Sequence, residues 1–219
     1  MTKDPIHLET RLEEGAKRYS PSAGRNKADI ALSLIPHIKQ SAHILEIASG
    51  TGEHAYHMCA LRPDILWQTS DPDPESRASQ TGWAVDCRTN GAGNMLAPLN
   101  IDVCQPGWAA ALPEPSYDML YCANMIHIAP WEACTGMVGG AKGLLKSGGL
   151  MALYGPFLEG SKTAQSNLQF DQTLKARNPD WGVRNLSSVK HIFADAVFNM
   201  ADRIEMPKEN RLIIFEKIF

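Results

Sequence analysis

The chain has 219 residues, a formal charge of −3 (21 Lys and Arg against 24 Asp and Glu) and 44% hydrophobic residues, which suits one globular domain with a sizeable core. The mildly acidic balance, without a basic run, gives no footing for nucleic acid or an anionic membrane surface. The uncharged stretch 147–158 is too short and glycine-rich to span a bilayer, and five cysteines without a C-x-x-C read as reduced, mostly buried thiols of a cytoplasmic protein.

Residues 1–20 are charged throughout and lack the apolar stretch of a signal peptide. An amphipathic helix is expected over 28–38, opened by Arg25, Asn26 and Lys27, and a strand over 43–49. Helical spacing follows over 52–63, where Pro63 stops it. A second strand is expected at 64–70, then a helix over 73–84 capped by Asp73, with Pro74 in its first turn. The run 86–95 reads as partly loop. Strands are expected at 96–103 and 117–124, a helix over 130–149 ending at a glycine turn, and a strand at 150–157. Residues 162–179 are helical in part and 186–197 fully. Two strands, 198–207 and 210–219, close the chain. Strands separated by helices imply parallel βαβ units, with ligands outside the C-terminal strand edges. The last two strands are too close in sequence for a crossover and must be antiparallel. The expected fold is therefore α/β, Rossmann-like: a central, mostly parallel seven-stranded sheet with an antiparallel C-terminal hairpin and helices on both faces.

The glycine turn after the first strand concentrates the functional signal. Gly50 and Gly52 allow a tight turn and close approach of a ligand to the backbone. Read as G-x-G-x-x-A, "GTGEHA" passes for a dinucleotide fingerprint. Read as E-x-A-x-G-x-G, Glu46 to Gly52, it passes for the nucleoside-binding turn of class I S-adenosylmethionine (SAM)-dependent methyltransferases. The acids separate the two readings. Glu46 in the first strand would face the cofactor's amino-acid end. Asp71, ending the second strand, can accept from both ribose hydroxyls, and Asp102, ending the third, from the adenine amino group. One acid suits NAD; three ending successive strands suit SAM better. Singly, Asp71 or Asp102 could merely cap a turn. His54, His57 and Cys59 fall close together on one helix, but no second ligand cluster accompanies them, so no metal is expected.

Four stretches, "YSPSAGRNKADI" (19–30), "LEIASGTGEHA" (45–55), "WQTSDPD" (67–73) and "SNLQFDQTLKARNPDWGVRN" (166–185), resemble the methyltransferase-like family known as domain of unknown function 938. The resemblance implies a single methyltransferase domain over 1–219, SAM as cofactor and transfer of a methyl group. It departs from the usual turn at Ala48, where glycine is common. Segment 1–24 is expected to cover the pocket and 158–186 to form an insertion or lid between the fifth and sixth strands.

Methyl transfer needs an acceptor aligned with the methyl carbon and, often, a base. His127, Asn124 and Tyr154, at the ends of the fourth and fifth strands, are the candidate catalytic residues. A helix capped by Asn26 or a loop ordered by His127 are the bland alternatives. Cofactor contacts are expected from Glu46, Ala48, Gly50, Gly52, Asp71, Asp102 and Asn26. Substrate contacts are expected from Tyr19, Arg25, Trp181 and Arg184, with Asp171 also at the rim and Trp181 equally able to anchor a core. Arginines there suit an anionic small molecule. Two rival functions remain: a nicotinamide-dependent oxidoreductase, favoured only if the pocket accepts a dinucleotide and Asp102 points away, and a non-enzymatic SAM-binding module, favoured if SAM binds but the rim is closed.

Overall fold

A computed structural model describes residues 10–112 and 116–218. A short antiparallel hairpin, β1 (Leu12–Glu14) and β2 (Lys17–Tyr19), precedes helix α1 (Pro21–Leu34). Then come β3 (His43–Ile47), α2 (Glu53–Leu61), β4 (Leu66–Ser70), α3 (Pro74–Thr89) and β5 (Met95–Leu99). The second half runs β6 (Tyr117–Ala123), α4 (Trp131–Leu144), β7 (Leu145–Pro156), α5 (Gln165–Arg177), α6 (Leu186–Asp195), β8 (Phe198–Met206) and β9 (Asn210–Lys217).

The main sheet has seven strands in the order β5-β4-β3-β6-β7-β9-β8. The first five are parallel, and β9 runs antiparallel to both β7 and β8. The expected architecture is therefore present, with β9 inserted between its neighbours. The hairpin before it turns through Lys208 and Glu209, both at φ 58, a left-handed turn made without glycine. The unbroken run "HILEI" becomes β3 because a central parallel strand is covered on both faces. Leu45 and Ile47 join a core beneath α4 and α6, whereas Ile44 faces a second core beneath α1, α2 and α3.

Several boundaries differ from the sequence expectation. Helix α1 begins at Pro21, with Ser20 accepting from Ala23 N as its cap. Arg25, Asn26 and Lys27 therefore sit in its second turn rather than opening it. Helix α3 runs beyond the expected end at 84 to Thr89, because Trp83, Ala84 and Cys87 keep one face buried, and 90–94 is the loop part of the stretch expected to be partly loop. Its buried face also carries Ser76, Ser79 and Gln80, polar residues that hide the helical period. Strand β5 stops at Leu99, so Asp102 does not end it. Helix α4 stops at Leu144 and β7 starts at once, because Leu145 pairs with Tyr117 and is buried; Gly148, at φ 67, then takes up the register shift.

The hairpin at 12–19 was not expected. Gly15 at φ 61 is the first of its two turn residues, the position where a type II′ turn demands glycine. Of the segment 1–24, residues 1–9 lie outside the described residues, as does Phe219 of the last strand. The excursion 158–186 is closed at its base by a bridge between Leu158 and Asn185. Four cysteines are buried and Cys104 is exposed, all unbridged. Among the described residues no helix is long and apolar enough to cross a membrane.

Candidate functional site

The turn after β3 is built from left-handed residues. Ala48 stands at φ 53, Gly50 at φ 55 and Gly52 at φ 88. The two glycines serve different ends. A Cβ on Gly52 would meet Gln80 Cγ at 3.1 Å, Gln80 Cα at 3.2 Å and Trp83 Cδ1 at 3.3 Å, so its bareness lets α3 pack. A Cβ on Gly50 would meet only Arg11 Nη2, at 3.6 Å, among the described residues. Gly50 thus presents a backbone face that a ligand can approach. Helix α3 fixes the turn from behind: Ser79 Oγ donates to Thr51 O at 2.7 Å and Gln80 Nε2 to Gly50 O at 3.0 Å.

Asp71 stands just past β4 and is 7% exposed. Its Oδ2 accepts from Gly50 N at 2.9 Å and its Oδ1 from Asp73 N at 3.0 Å. Burial raises its pKa to about 6, against the pull of these amides. Glu46 lies deeper, 1% exposed, with Trp67 Nε1 donating to Oε2 at 2.9 Å. Its cross-strand neighbours are Thr69 and Tyr121, whose buried hydroxyls have no hydrogen-bond partner among the described residues. His54 Nδ1 is 4.0 Å from Glu46 Oε1. Burial raises the Glu46 pKa to about 8, so at neutral pH it is largely protonated. Asp102 turns inward on its own loop, accepting from Cys104 N at 3.0 Å and Gln105 Nε2 at 3.2 Å. That is the turn-capping geometry, three residues beyond the end of β5 at Leu99.

The candidate catalytic residues fall on opposite faces of the sheet. Tyr154 belongs to the core beneath α1, and its hydroxyl accepts from Asn210 Nδ2 at 3.1 Å. Asn26 neighbours that hydroxyl, and its Oδ1 accepts from His54 Nε2 at 2.8 Å. His127 lies on the other face, its ring edge-on to Phe157. Its Nδ1 accepts from Arg184 N at 3.3 Å, which leaves the proton on Nε2. Nε2 is buried without a hydrogen-bond partner among the described residues and would stand 2.6 Å from a Cβ at Gly155. Burial, then the Arg184 charge, lowers the His127 pKa to about 3. A histidine so held is a neutral donor at physiological pH and a poor base. Asn124, left-handed at φ 60, brings its Oδ1 to 3.2 Å from the same Gly155 Cβ position.

The expected substrate residues do not meet at one rim. Arg184 spends Nε on Ile126 O at 2.7 Å and Nη2 on Ala129 O and Asp180 O at 2.6 and 2.8 Å, bracing the loop between β6 and α4. Asp171 accepts from Val183 N at 2.9 Å and pairs with Lys175 at 2.7 Å. Trp181 is half-buried and belongs to neither core cluster. Tyr19 sits on β2, donates to Glu14 and packs edge-on to Trp83 with ring centroids 5.2 Å apart. Arg25 reaches Ser22 Oγ at 3.2 Å.

A family model described as "Protein of unknown function (DUF938)" matches residues 17–217. The chain belongs to the DUF938 family. Solved structures that share the fold include several described as methyltransferases. One is an O-methyltransferase family protein from Burkholderia thailandensis, 14% identical with TM-score 0.68, covering 87% of this chain and 58% of that one. Human N-acetylserotonin methyltransferase in complex with SAM is 14% identical with TM-score 0.66, at 90% and 52% coverage. An O-methyltransferase family 2 protein from Planctomyces limnophilus, in complex with apigenin, is 18% identical with TM-score 0.67, at 87% and 61%. The chain thus spans somewhat over half the length of these proteins. In this DUF938 member, the residues that sequence reasoning missed are Arg11, Glu53, Ser79 and Gln80. Glu53 is 4% exposed and accepts from Ser20 N at 2.6 Å, tying α1 to the turn. The S-x-x-S-Q spacing in α3 is the sequence trace of Ser79 and Gln80.

Proposed function

We propose that this protein binds SAM on the turn Ala48–Gly52 and transfers its methyl group to a small molecule. The observation that carries the reading is the bare face of Gly50 with the Asp71 carboxylate fixed beside it, in a sheet whose last strand is reversed. Dinucleotide-binding Rossmann sheets run all parallel in the order 3-2-1-4-5-6. The β7-β9-β8 edge departs from that order, and this outweighs the inward-turned Asp102, which by itself favours the nicotinamide reading.

The residues fit such a cofactor. Asp71 has one lone-pair direction on each oxygen taken by a backbone amide, and each oxygen can accept again from a ribose hydroxyl. Glu46, below the turn, offers an acid to the amino-acid end. The bound group would supply the methyl; this chain's task is to seat it, align the acceptor and exclude water. The acceptor would lie beyond the edge between β6 and β7. There His127, its Nε2 buried against Gly155, would order the edge and take no proton from the acceptor. The rim arginines Arg184 and Arg25 are engaged within the protein, so the case for an anionic acceptor rests on other cations.

Calorimetry with SAM, its demethylated product S-adenosylhomocysteine and NAD tests the cofactor. Micromolar binding of the first two and none of NAD is expected. Asp71→Ala should weaken SAM by at least one charged hydrogen bond, roughly 1.5–3 kcal/mol. Unchanged affinity in that folded variant would remove the ribose assignment. A labelled-methyl screen over small molecules then looks for the acceptor.

A further inference from the structure

We propose that His54, its tautomer fixed by Asn26, is a positioning residue that keeps Glu46 a neutral acid until a ligand's ammonium group docks, so that seating an amino-acid-bearing cofactor expels a proton. The proposal rests on the cofactor reading above and adds to it a proton that the binding step must release.

His54 Nε2 stands 2.8 Å from Asn26 Oδ1, and an amide oxygen only accepts, so the ring proton is on Nε2. Nδ1 then presents a bare lone pair toward Glu46 Oε1, 4.0 Å away. A carboxylate facing that lone pair is repelled, whereas a protonated acid can turn its O–H toward it. Trp67 Nε1 holds the other carboxyl oxygen at 2.9 Å. Among the described residues no lysine or arginine pairs with Glu46; Lys27, which α1 brings over α2, stands 3.7 Å from Glu53 instead. A buried acid without a cation keeps its proton.

The surroundings can serve both charge states. Thr69 and Tyr121 flank Glu46 in register on the same face, and neither buried hydroxyl has a hydrogen-bond partner among the described residues. A hydroxyl accepts from a protonated acid and, after rotating, donates to a carboxylate. The titratable groups nearby favour the neutral form. Burial keeps Tyr121 and Cys122 of β6 and Cys59 of α2 uncharged, and Asp71 beyond β4 opposes a second negative charge. Burial, then the Lys27 charge, lowers the His54 pKa to about 4, so the ring stays neutral. What the pocket lacks is a positive charge, and the ammonium of an amino acid brings one. Direct contact is not required: a unit charge about 6 Å away, across an effective dielectric of about 20, favours ionisation about a hundredfold. The Glu46 O–H bond then breaks, its electron pair stays on the carboxylate, and the proton passes to solvent.

Calorimetry at about pH 7 in buffers of low and high ionisation heat, such as phosphate and Tris, counts the protons released per ligand bound. S-adenosylhomocysteine carries the ammonium and should release at least about half a proton. 5′-Methylthioadenosine, the same adenosine and thioether without the amino-acid end, should release close to none. Between about pH 6 and 8 the affinity for the first should rise by up to about tenfold per pH unit. The second shares any Asp71 titration through its ribose and supplies the baseline. Glu46→Gln should remove the release, and Asn26→Ala, which frees the ring to carry its proton on Nδ1, should lower it. The pH profile of the unmutated chain serves if a variant fails to fold. Nitrogen NMR of the ligand-free chain should find the His54 proton on Nε2. Four results would each overturn the proposal and leave the cofactor reading standing: S-adenosylhomocysteine binding without proton release, a release that survives Glu46→Gln, one unchanged in Asn26→Ala, or a His54 proton on Nδ1. If the unmutated chain binds neither nucleoside, the cofactor reading falls and this proposal with it.

Discussion

At the scale of single residues, the most constrained group is Glu46. Its folded pKa of about 8 lies above the ordinary value of 4.5, because burial without a cation penalises the charge. Between those values the folded chain holds a proton that the unfolded chain has lost. Its contribution to stability is therefore complete below pH 4.5 and disappears as pH rises through 8, on the order of a few kcal/mol. Urea titrations of the ligand-free chain at about pH 5, 7 and 9 should show this fall, and Glu46→Gln should remove it. An equal fall in the variant would place the titrating group elsewhere. His127 runs the other way. Its folded pKa, about 3, is below the ordinary 6.5, so its contribution is present above 6.5 and lost as pH drops toward 3. Nitrogen NMR should find its ring neutral, with the proton on Nε2, at every pH above about 4. Protonation near pH 6 would restore it as a candidate base. Ala48 is the third telling residue. It adopts φ 53 at a cost of about 1 kcal/mol for a side chain in the left-handed region, so Ala48→Gly should leave the fold no less stable and the turn unchanged.

At the scale of elements, α4 shows how glycine can be a packing device. A Cβ on Gly140 would stand 2.2 Å from Trp108 Cζ2, and one on Gly136 2.1 Å from Val103 O. The helix is bare where the loop 101–112, which carries Asp102, lies across it, and Trp108 Nε1 donates to Gly136 O at 2.9 Å. Replacing a helical glycine by alanine normally gains about 1 kcal/mol. Gly140→Ala should instead lose about 1–3 kcal/mol through overpacking. Gly139→Ala, with nothing within 4 Å, should show the ordinary gain. Thermal and urea unfolding of the two neighbours measure the contrast directly; a stabilised Gly140→Ala would mean that Trp108 moves freely. Helix α3 has the same double duty. Its buried serines and glutamine hold the glycine turn on one side and the hairpin on the other, so a small rotation of α3 would move both walls of the proposed cofactor site together.

At the scale of the whole molecule, the two cores lock the sheet from either side, and the proposed ligand sits where β3, β4 and β6 end. A ligand that binds only the folded state raises its stability by mass action, about 2.7 kcal/mol at a hundred times its dissociation constant. For a domain of this size that is a rise of roughly 5–11 °C in Tm. S-adenosylhomocysteine should produce it and NAD should not. The reverse result would return the fold to the dinucleotide reading.

The strand-and-helix alternation, the glycine turn with its following acid, and the antiparallel ending were all written locally. They depend on spacing of apolar residues, on backbone freedom at a few positions and on the shortness of a connection, each of which a linear sequence displays. Tertiary structure decided the rest. The role of Ser79 and Gln80 on helix α3 could not be read, because no apolar period marks a buried polar pair, and they are buried because they face the turn's carbonyls. His127 could not be read as a donor, because its tautomer is set by an amide at residue 184. Arg11 carried no signal at all: only the folding of a two-strand hairpin over α3 brings it to Gly50, across contacts that no local pattern records.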